Sequence, residues 1–445
     1  IWTRERHPLD WGLEQNNLGY ALQIIGDRES DAESLAAAIT AHRLSLEEWT
    51  RDRVPMYWAR AQSNLGNALK NLGQKMMGSE FLEEAASAYR LALEERAFEQ
   101  DPLGWGETQN SLGTVLAMIA DRVGNSDGLN EAIDVLRKSL EVRKREDTPM
   151  SFASSKNNLA HALIRFGEYQ NDSRHFEEAI NALRDALQVW THEAAPSRWS
   201  VAQHNLGDAL TSLGRRETSA THLDEAAASY SQALTERNRD REPVLWATSQ
   251  SALAFVEYIL GERESGTESL EKAVTRYRLV LEEYRSRSVP FATSGVHFNF
   301  GNALRLLGER KKDAGLILEA LENHSTVCRN CLPDSPYWAF RAARAAIDDR
   351  NALKAHFEPS LYEALLTKHE WVSKLVDKHE GHRITLMPFF KCVVPGTSGS
   401  TKPNFDSVPR KGDRIKDGST VWENGGKYSY CLECQDYLVS ISPSA

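Results

Sequence analysis

Prolines recur at a fixed interval through about three quarters of the chain, and this interval constrains the fold more than any other feature. They stand 47 residues apart, at Pro8, Pro55, Pro102, Pro149, Pro196, Pro243 and Pro290. Self-similarity at a period between roughly 20 and 50 residues indicates stacked repeats, because one such unit cannot bury its apolar face alone. The sequence therefore predicts seven repeats over residues 1–336, with the chain beginning inside a repeat.

Each repeat is predicted to be a helical hairpin. Proline is tolerated in the first turn of a helix but not in its interior, so a helix is expected to begin at each proline. In the second repeat, Trp58, Leu65 and Leu69 follow the spacing of one helical face, and Leu82 and Tyr89 resume it after a polar loop. The array is therefore predicted to be all-α.

Small residues recur at two fixed positions, where we expect pairs of helices to approach closely. The first-helix position holds Gly19, Gly66, Gly113, Ala160, Gly207, Ala254 and Gly301, and the second-helix position holds Ala38, Ala85, Ala132, Ala179, Ala226, Ala273 and Ala320. Tryptophans recur as Trp11, Trp58, Trp105, Trp199 and Trp246. We interpret the tryptophans as packing between repeats rather than as a stacking surface for a ligand, because periodic apolar residues usually belong to the core.

The repeat resembles the tetratricopeptide repeat. The resemblance rests on Asn64–Leu69 (NLGNAL), on Gly73, and on Ala85, Tyr89 and Ala92. The usual member of that family has 34 residues, so these units are 13 residues longer. The resemblance implies a right-handed α-solenoid that serves protein–protein interaction.

Two further segments are expected after the array. Residues 337–382 still have helical patterns, at Tyr337–Phe357 and Ser360–Lys378, and are predicted to form a cap. Residues 383–445 are predicted to form a small, mostly β module, with strands at Arg383–Val394, Thr420–Glu423, Lys427–Cys434 and Tyr437–Ile441. The tripeptide Asn424-Gly425-Gly426 is typical of a hairpin turn between the second and third of these segments.

The resemblance also implies where a partner would bind. First helices of tetratricopeptide arrays line a concave groove, and the positions one before and three after the recurring asparagine are expected to face it. From these two columns the predicted groove residues are Asn67, Asn110, Asn157, His161, His204, Asp208, Phe255, Phe298 and Asn302. Asparagine can both donate to and accept from an extended peptide backbone. The alternative interpretation is that these are simply solvated polar residues.

Cysteine and histidine in the C-terminal part offer a metal-site alternative that we do not favour. Zinc could bind Cys328, Cys331, Cys431 and Cys434, with His324 one turn before the first pair. The two pairs lie 100 residues apart, and Cys328 occupies a core leucine position of the repeat. A buried free cysteine explains that position equally well.

Composition narrows the classes of function. The net charge of −10 argues against a general nucleic-acid binder, and no apolar run is long enough to span a membrane. Five cysteines and no signal peptide favour the cytoplasm. No catalytic, phosphate-binding or cofactor motif is found.

The sequence predicts a non-catalytic scaffold, without cofactor, that binds a protein or peptide. The alternative is a sensor or regulatory arm of a larger signalling or defence protein, whose effector domain is covalently linked or on a partner chain.

Overall fold

The chain forms two compact units, Ile1–Glu242 and Pro243–Ala445, in a computed structural model. The structure describes residues 3–76, 78–286, 293–331, 336–356, 384–394, 414–417 and 420–431.

Five consecutive helical hairpins make up the first unit. Their first helices are α1 (Pro8–Glu29), α3 (Pro55–Lys75), α5 (Pro102–Val123), α7 (Pro149–Gln170) and α9 (Pro196–Gly214). Their second helices are α2 (Ala32–Glu48), α4 (Glu80–Glu95), α6 (Ser126–Val142), α8 (Ser173–Leu187) and α10 (Thr221–Glu236). Every first helix begins at its proline, as the sequence predicts.

The second unit continues the pattern and adds strands. Its helices are α11 (Pro243–Arg263), α12 (Glu268–Ser286), α13 (Thr293–Lys311), α14 (Ala314–Cys331) and α15 (Pro336–His356). Its strands are β1 (Ile384–Val394), β2 (Arg414–Asp417) and β3 (Thr420–Cys431). The second predicted cap helix, Ser360–Lys378, lies outside the described residues.

Polar residues set the turns between the paired helices. Asp31 caps α2 by accepting from the backbone N–H groups of Glu33 and Ser34, both at 3.0 Å. The residues that end α1 and α7, Ser30 and Asn171, have φ of 57° and 55°. This left-handed backbone satisfies the last carbonyl groups of a helix and turns the chain sharply.

Glycine permits the close helix crossing in four of the five hairpins of the first unit, and Ala160 takes this position in the other. A Cβ atom on Gly66 would lie 2.8 Å from the ring of Tyr89, and one on Gly207 would lie 2.6 Å from the ring of Tyr230. Real Cβ atoms essentially never come this close. The alanine column of the second helices is fully buried beside this crossing, from Ala38 to Ala320. The predicted close approach of the two helices is confirmed.

Successive hairpins of the first unit are joined by a repeated ion pair. Each second helix packs on the first helix of the next repeat. The pairs Arg43–Glu84, Arg90–Glu131, Arg137–Glu178 and Arg184–Glu225 link residues 41 apart at 2.5–3.0 Å. All are solvent-exposed, so each contributes at most about 1 kcal/mol. Apolar burial supplies most of the stability.

The recurring tryptophans are half-buried rather than fully enclosed. A residue seven positions earlier covers several of them. Arg4 and Arg51 lie 4.9 and 5.6 Å from the rings of Trp11 and Trp58, and His192 meets Trp199 edge-on at 4.8 Å. Their role is therefore local packing against the loop before each first helix.

The three strands pair antiparallel in the order β1-β3-β2. β1 lies within the first of the four segments for which the sequence predicted strands, and β3 runs through the second and into the third. β2 lies in none of them, so this strand was not predicted, and the fourth segment, Tyr437–Ile441, lies outside the described residues. The predicted turn at Asn424-Gly425-Gly426 is wrong, because these residues lie inside β3. There the register with β1 shifts between Phe389 and Phe390, which leaves Gly425 as a β-bulge. The compact β module of residues 383–445, and the right-handed sense of the array, stay predictions.

Candidate functional site

First helices of successive repeats lie next to one another in the first unit. Positions four before and three after the recurring asparagine fall on the same side of a helix as that asparagine. In α3 these are Arg60, Asn64 and Asn67, all of them accessible to solvent. We call this surface the first-helix face.

Three columns of side chains make up the first-helix face. The leading column is Leu13, Arg60, Glu107, Ser154 and Val201; the middle column is Asn17, Asn64, Ser111, Asn158 and Asn205; the trailing column is Tyr20, Asn67, Thr114, His161 and Asp208. All fifteen side chains are exposed or half-buried.

The column one residue before the asparagines is buried beneath this face, although the sequence analysis expected it to be accessible to a partner. Asn110, Asn157 and His204 are 9%, 8% and 9% exposed, and Asn16 is 2% exposed. One residue along a helix turns the side chain by about 100°. The turn directs this column into the contact between neighbouring first helices.

A ladder of amide hydrogen bonds occupies that contact. Asn64 donates through Nδ2 to Oδ1 of Asn16 at 3.0 Å. Asn158 donates to Asn110 at 3.1 Å, and Asn205 donates to Asn157 at 2.9 Å. We call these bonds the amide ladder. Each satisfies a buried amide and is worth roughly 0.5–1.5 kcal/mol net, since the unfolded chain bonds water instead.

Buried tyrosines orient two members of the trailing column. The Tyr89 hydroxyl donates to Oδ1 of Asn67 at 2.7 Å, and the Tyr230 hydroxyl donates to Oδ1 of Asp208 at 2.6 Å. Burial raises the pKa of both tyrosines, so both hydroxyls keep their protons. These two side chains of the face are therefore fixed from below.

His204 supports the face from inside. Its ring meets that of Tyr230 edge-on at 5.3 Å, and its Nε2 lies 3.7 Å from Oδ2 of Asp208. Burial lowers the pKa of His204, although Asp208 acts in the opposite direction. His204 is therefore a neutral imidazole beside the accessible carboxylate of Asp208.

A pocket of about 250 Å³ lies on the first-helix face between α1, α3 and α5. It is lined by Asn16, Asn17, Tyr20, Arg60, Ser63, Asn64, Asn67, Tyr89, Arg96, Glu107, Thr108 and Ser111. Most of these groups can donate or accept hydrogen bonds. The pocket can therefore bind polar backbone and charged side chains.

Arg60 and Glu107 were missed by the sequence analysis. Both are exposed and both line the pocket. The spacing of four residues from the recurring asparagine could have identified them, because such positions share a helical face.

The predicted groove residues of the second unit differ in exposure. Phe298 is 5% exposed, with its ring 5.5 Å from that of His324. Phe255 and Asn302 are half-buried, and the Phe255 ring stacks on Tyr258 at 6.4 Å. Phe298 is therefore a core residue, whereas Phe255 and Asn302 remain accessible.

His324 is fully enclosed among other groups. Its Nδ1 lies 2.6 Å from Oδ2 of Asp349, and its Nε2 lies 3.2 Å from the carbonyl oxygen of Phe298. Both ring nitrogens are thus engaged. The side chains of Cys328, Cys331, Cys431 and Cys434 fall outside the part of the chain whose side chains the structure describes.

No group of three or more His, Cys, Asp or Glu side chains in the part of the chain that the structure describes is arranged to hold a metal ion. None of its helices is long and apolar enough to span a bilayer.

Comparison with known proteins identifies the repeat. Residues 152–191, which span most of α7 and all of α8, match the tetratricopeptide repeat family. The resemblance seen in the sequence is confirmed by this match. A search of curated proteins finds no significant match.

Several solved structures match the chain at low identity, with TM-scores below 0.5. BtubC (BKLC) from P. vanneervenii is 20% identical, with 57% of this chain and 92% of that chain covered and a TM-score of 0.40. A Rap protein complexed with competence and sporulation factor is 13% identical, with 83% and 94% covered and a TM-score of 0.47. A signal transduction ATPase with numerous domains and a tetratricopeptide repeat sensor, from Pyrococcus horikoshii, is 13% identical, with 82% and 64% covered and a TM-score of 0.40. These values identify no function for this chain.

Proposed function

We propose that the chain is a non-catalytic scaffold that binds a peptide or protein segment on the first-helix face of its first unit. The observation that carries this proposal is the polar surface itself, which is accessible to solvent yet held in place from below. The amide ladder fixes three of the five members of the middle column, and Tyr89 and Tyr230 orient Asn67 and Asp208. A surface ordered before binding loses less conformational entropy when a partner docks.

The predicted groove residues divide into two roles under this proposal. Asn67, His161 and Asp208 contact the partner, since they are accessible members of the trailing column. Asn110 and Asn157 act through the amide ladder and position the middle column.

His204 acts through Asp208 and Tyr230. In the second unit, Phe255 and Asn302 belong to a separate surface of the same kind.

Two finer predictions accompany the proposal. The scaffold works in the cytoplasm; the alternative is that it is a sensor or regulatory arm of a larger protein, whose effector domain is covalently linked or on a partner chain. Neither is needed for binding on the first-helix face, so the binding experiment below tests the proposal by itself.

The experiment is a selection of phage-displayed random 12-residue peptides on the full chain, followed by affinity measurements on the enriched peptides. Tyr20→Ala and His161→Ala remove two exposed side chains of the trailing column. We expect either substitution to weaken enriched peptides by about tenfold, the effect of losing one good contact of about 1.4 kcal/mol.

The matched controls are Lys138→Ala and Glu141→Ala. Both residues are exposed on α6, a second helix away from the first-helix face. They should leave the affinity unchanged. A selection that enriches no peptide sensitive to Tyr20 or His161 would overturn the proposal.

A further inference from the structure

Two opposite charges stand side by side on the first-helix face. Arg60 on α3 and Glu107 on α5 occupy the same position of successive repeats, 47 residues apart. Both are exposed, and both line the pocket of about 250 Å³. They are the charged members of the leading column.

Neither charge has an ion pair or hydrogen bond within the described part of the chain. The contrast with the second helices is clear, because Arg43–Glu84, Arg90–Glu131 and the equivalent pairs there close at 2.5–3.0 Å. The leading column therefore presents one cation and one anion that are available to a ligand.

Two other cations near the pocket are either hydrogen-bonded within the protein or partly shielded from solvent. Arg96 donates to the carbonyl oxygen of Gly104 and to Oγ1 of Thr108, both at 3.1 Å. Lys70 is half-buried, and burial lowers its pKa while Asp27 and Glu107 act in the opposite direction. Arg60 is thus the cation most open to solvent beside the pocket.

Two asparagines between these charges match the polar groups of a peptide unit. Asn64 uses Nδ2 in the amide ladder, which leaves its Oδ1 to accept. Asn67 uses Oδ1 to accept from Tyr89, which leaves its Nδ2 to donate. A peptide backbone offers one N–H donor and one carbonyl acceptor per residue, so the pair is complementary to it.

Geometry sets the spacing of the ligand's charges. Packed helices lie about 8–10 Å apart, and a chain in the extended polyproline II conformation advances about 3.1 Å per residue and returns its side chains to one face every third residue. A segment that crosses from α3 to α5 therefore covers this distance in about three residues.

We propose that the first-helix face binds an extended peptide in which an acidic and a basic side chain lie three residues apart. The acidic side chain pairs with Arg60 and the basic side chain with Glu107. Asn64 and Asn67 bond the backbone between them. This inference rests on the proposed function and names the chemistry of its partner.

A charge-swapped variant gives the sharpest test. The probe is the same random 12-residue phage library, selected in parallel on the wild-type chain and on Arg60→Glu/Glu107→Arg, with both pools sequenced. We expect the wild type to enrich an acid–base pair at a spacing of three in one order along the peptide. The swapped variant should enrich the reverse order, since its net charge is unchanged and only the two positions are exchanged.

The control is Lys138→Glu/Glu141→Arg, which exchanges two exposed charges on α6 and also keeps the net charge. It should enrich the wild-type order. Circular dichroism melting of each variant tests whether it folds. For one enriched peptide, fluorescence anisotropy should show about 10- to 100-fold weaker binding to Arg60→Glu alone. Binding should return when the acidic residue of the peptide is replaced by lysine.

The outcomes separate the two proposals. Peptides that depend on Tyr20 and His161 but show no acid–base spacing, or the same order on both chains, overturn this inference and leave the proposed function standing. Failure to enrich any peptide that depends on the first-helix face overturns both.

Discussion

At the residue scale, Gly66 shows how closely the two helices of one hairpin cross. Gly66→Ala puts a Cβ atom 2.8 Å from the buried Tyr89 ring. Overpacking of this kind costs about 1–3 kcal/mol, against up to about 1 kcal/mol gained in helix propensity. We expect urea denaturation to show a net loss of up to about 2 kcal/mol.

The same substitution elsewhere provides the control. Gly295 lies within α13, and a Cβ atom there would meet nothing within 4 Å. Gly295→Ala should therefore be neutral or stabilising. Destabilisation by both substitutions, or by neither, would contradict the crossing argument.

A second residue-scale prediction concerns His42, which stands where other repeats have Tyr89 or Leu136. It is 0% exposed, and neither ring nitrogen has a hydrogen-bond partner in the structure. Burial lowers the pKa of His42 to about 4. As pH falls from 6.5 towards 4, His42 becomes protonated in the unfolded chain but stays neutral in the folded chain, so the free energy of unfolding falls.

His42→Leu should remove this part of the pH dependence. The free energy of unfolding of the variant, relative to wild type, should rise by about 2 kcal/mol more at pH 5 than at pH 7.5. Urea denaturation of both proteins at the two pH values measures the difference. An equal difference at both would show that His42 is not buried as a neutral ring.

Element-scale structure shows why part of the candidate site was predictable and part was not. The hairpins and their crossings follow from periodicity, which the printed sequence displays directly. The orientation of a column does not follow from periodicity. Asn110 and Asn64 occupy adjacent positions of the repeat, yet Asn110 faces a neighbouring helix and Asn64 is accessible to solvent. Only the contact between first helices decides which of the two is buried.

The strands show a second limit to what the sequence alone predicts. Asn424-Gly425-Gly426 has the composition of a tight turn, but pairing with β1 over Ile384–Val394 keeps the segment extended. A bulge absorbs the extra residue. The cross-strand hydrogen bonds to β1 outweigh the local preference of Asn-Gly-Gly for a turn.

The element-scale prediction concerns the docking of α15 on α14. The buried pair His324–Asp349, at 2.6 Å, joins these two helices, and Nε of Arg305 on α13 lies 3.5 Å from Asp349. Asp349→Ala leaves His324 without its partner, so we expect a loss of about 3–5 kcal/mol. Hydrogen exchange of residues 336–356 should speed up with it.

An apolar replacement of both partners should behave differently. His324→Leu installs the residue that other repeats carry at this position, as Leu136 and Leu183. Together with Asp349→Leu it should recover most of the stability, since both buried polar groups are then removed. If the double variant is as unstable as Asp349→Ala, packing rather than the polar pair holds α15.

At the scale of the whole molecule, a repeat array derives its stability from each hairpin and from its neighbours. The first unit shows this dependence at α1. Leu18 is 48% exposed, whereas Leu65 and Leu112 at the same position are 6% and 4% exposed. Ile24 and Ile25 are also exposed, at 49% and 43%. In the chain as given, α1 therefore has one apolar face without a described neighbour.

We expect this difference to appear as a gradient of amide hydrogen exchange along the first unit. Burying a large aliphatic side chain is worth about 1.5–3 kcal/mol, so the opening of α1 should be easier than that of α3 or α5. Peptides from residues 8–29 should exchange at least about tenfold faster than the equivalent peptides from 55–75 and 102–123. Because the three segments share one repeat pattern, intrinsic helix preference is closely matched. Equal protection of all three would mean that the apolar face of α1 is covered in solution, and analytical ultracentrifugation would then show whether a second copy of the chain covers it.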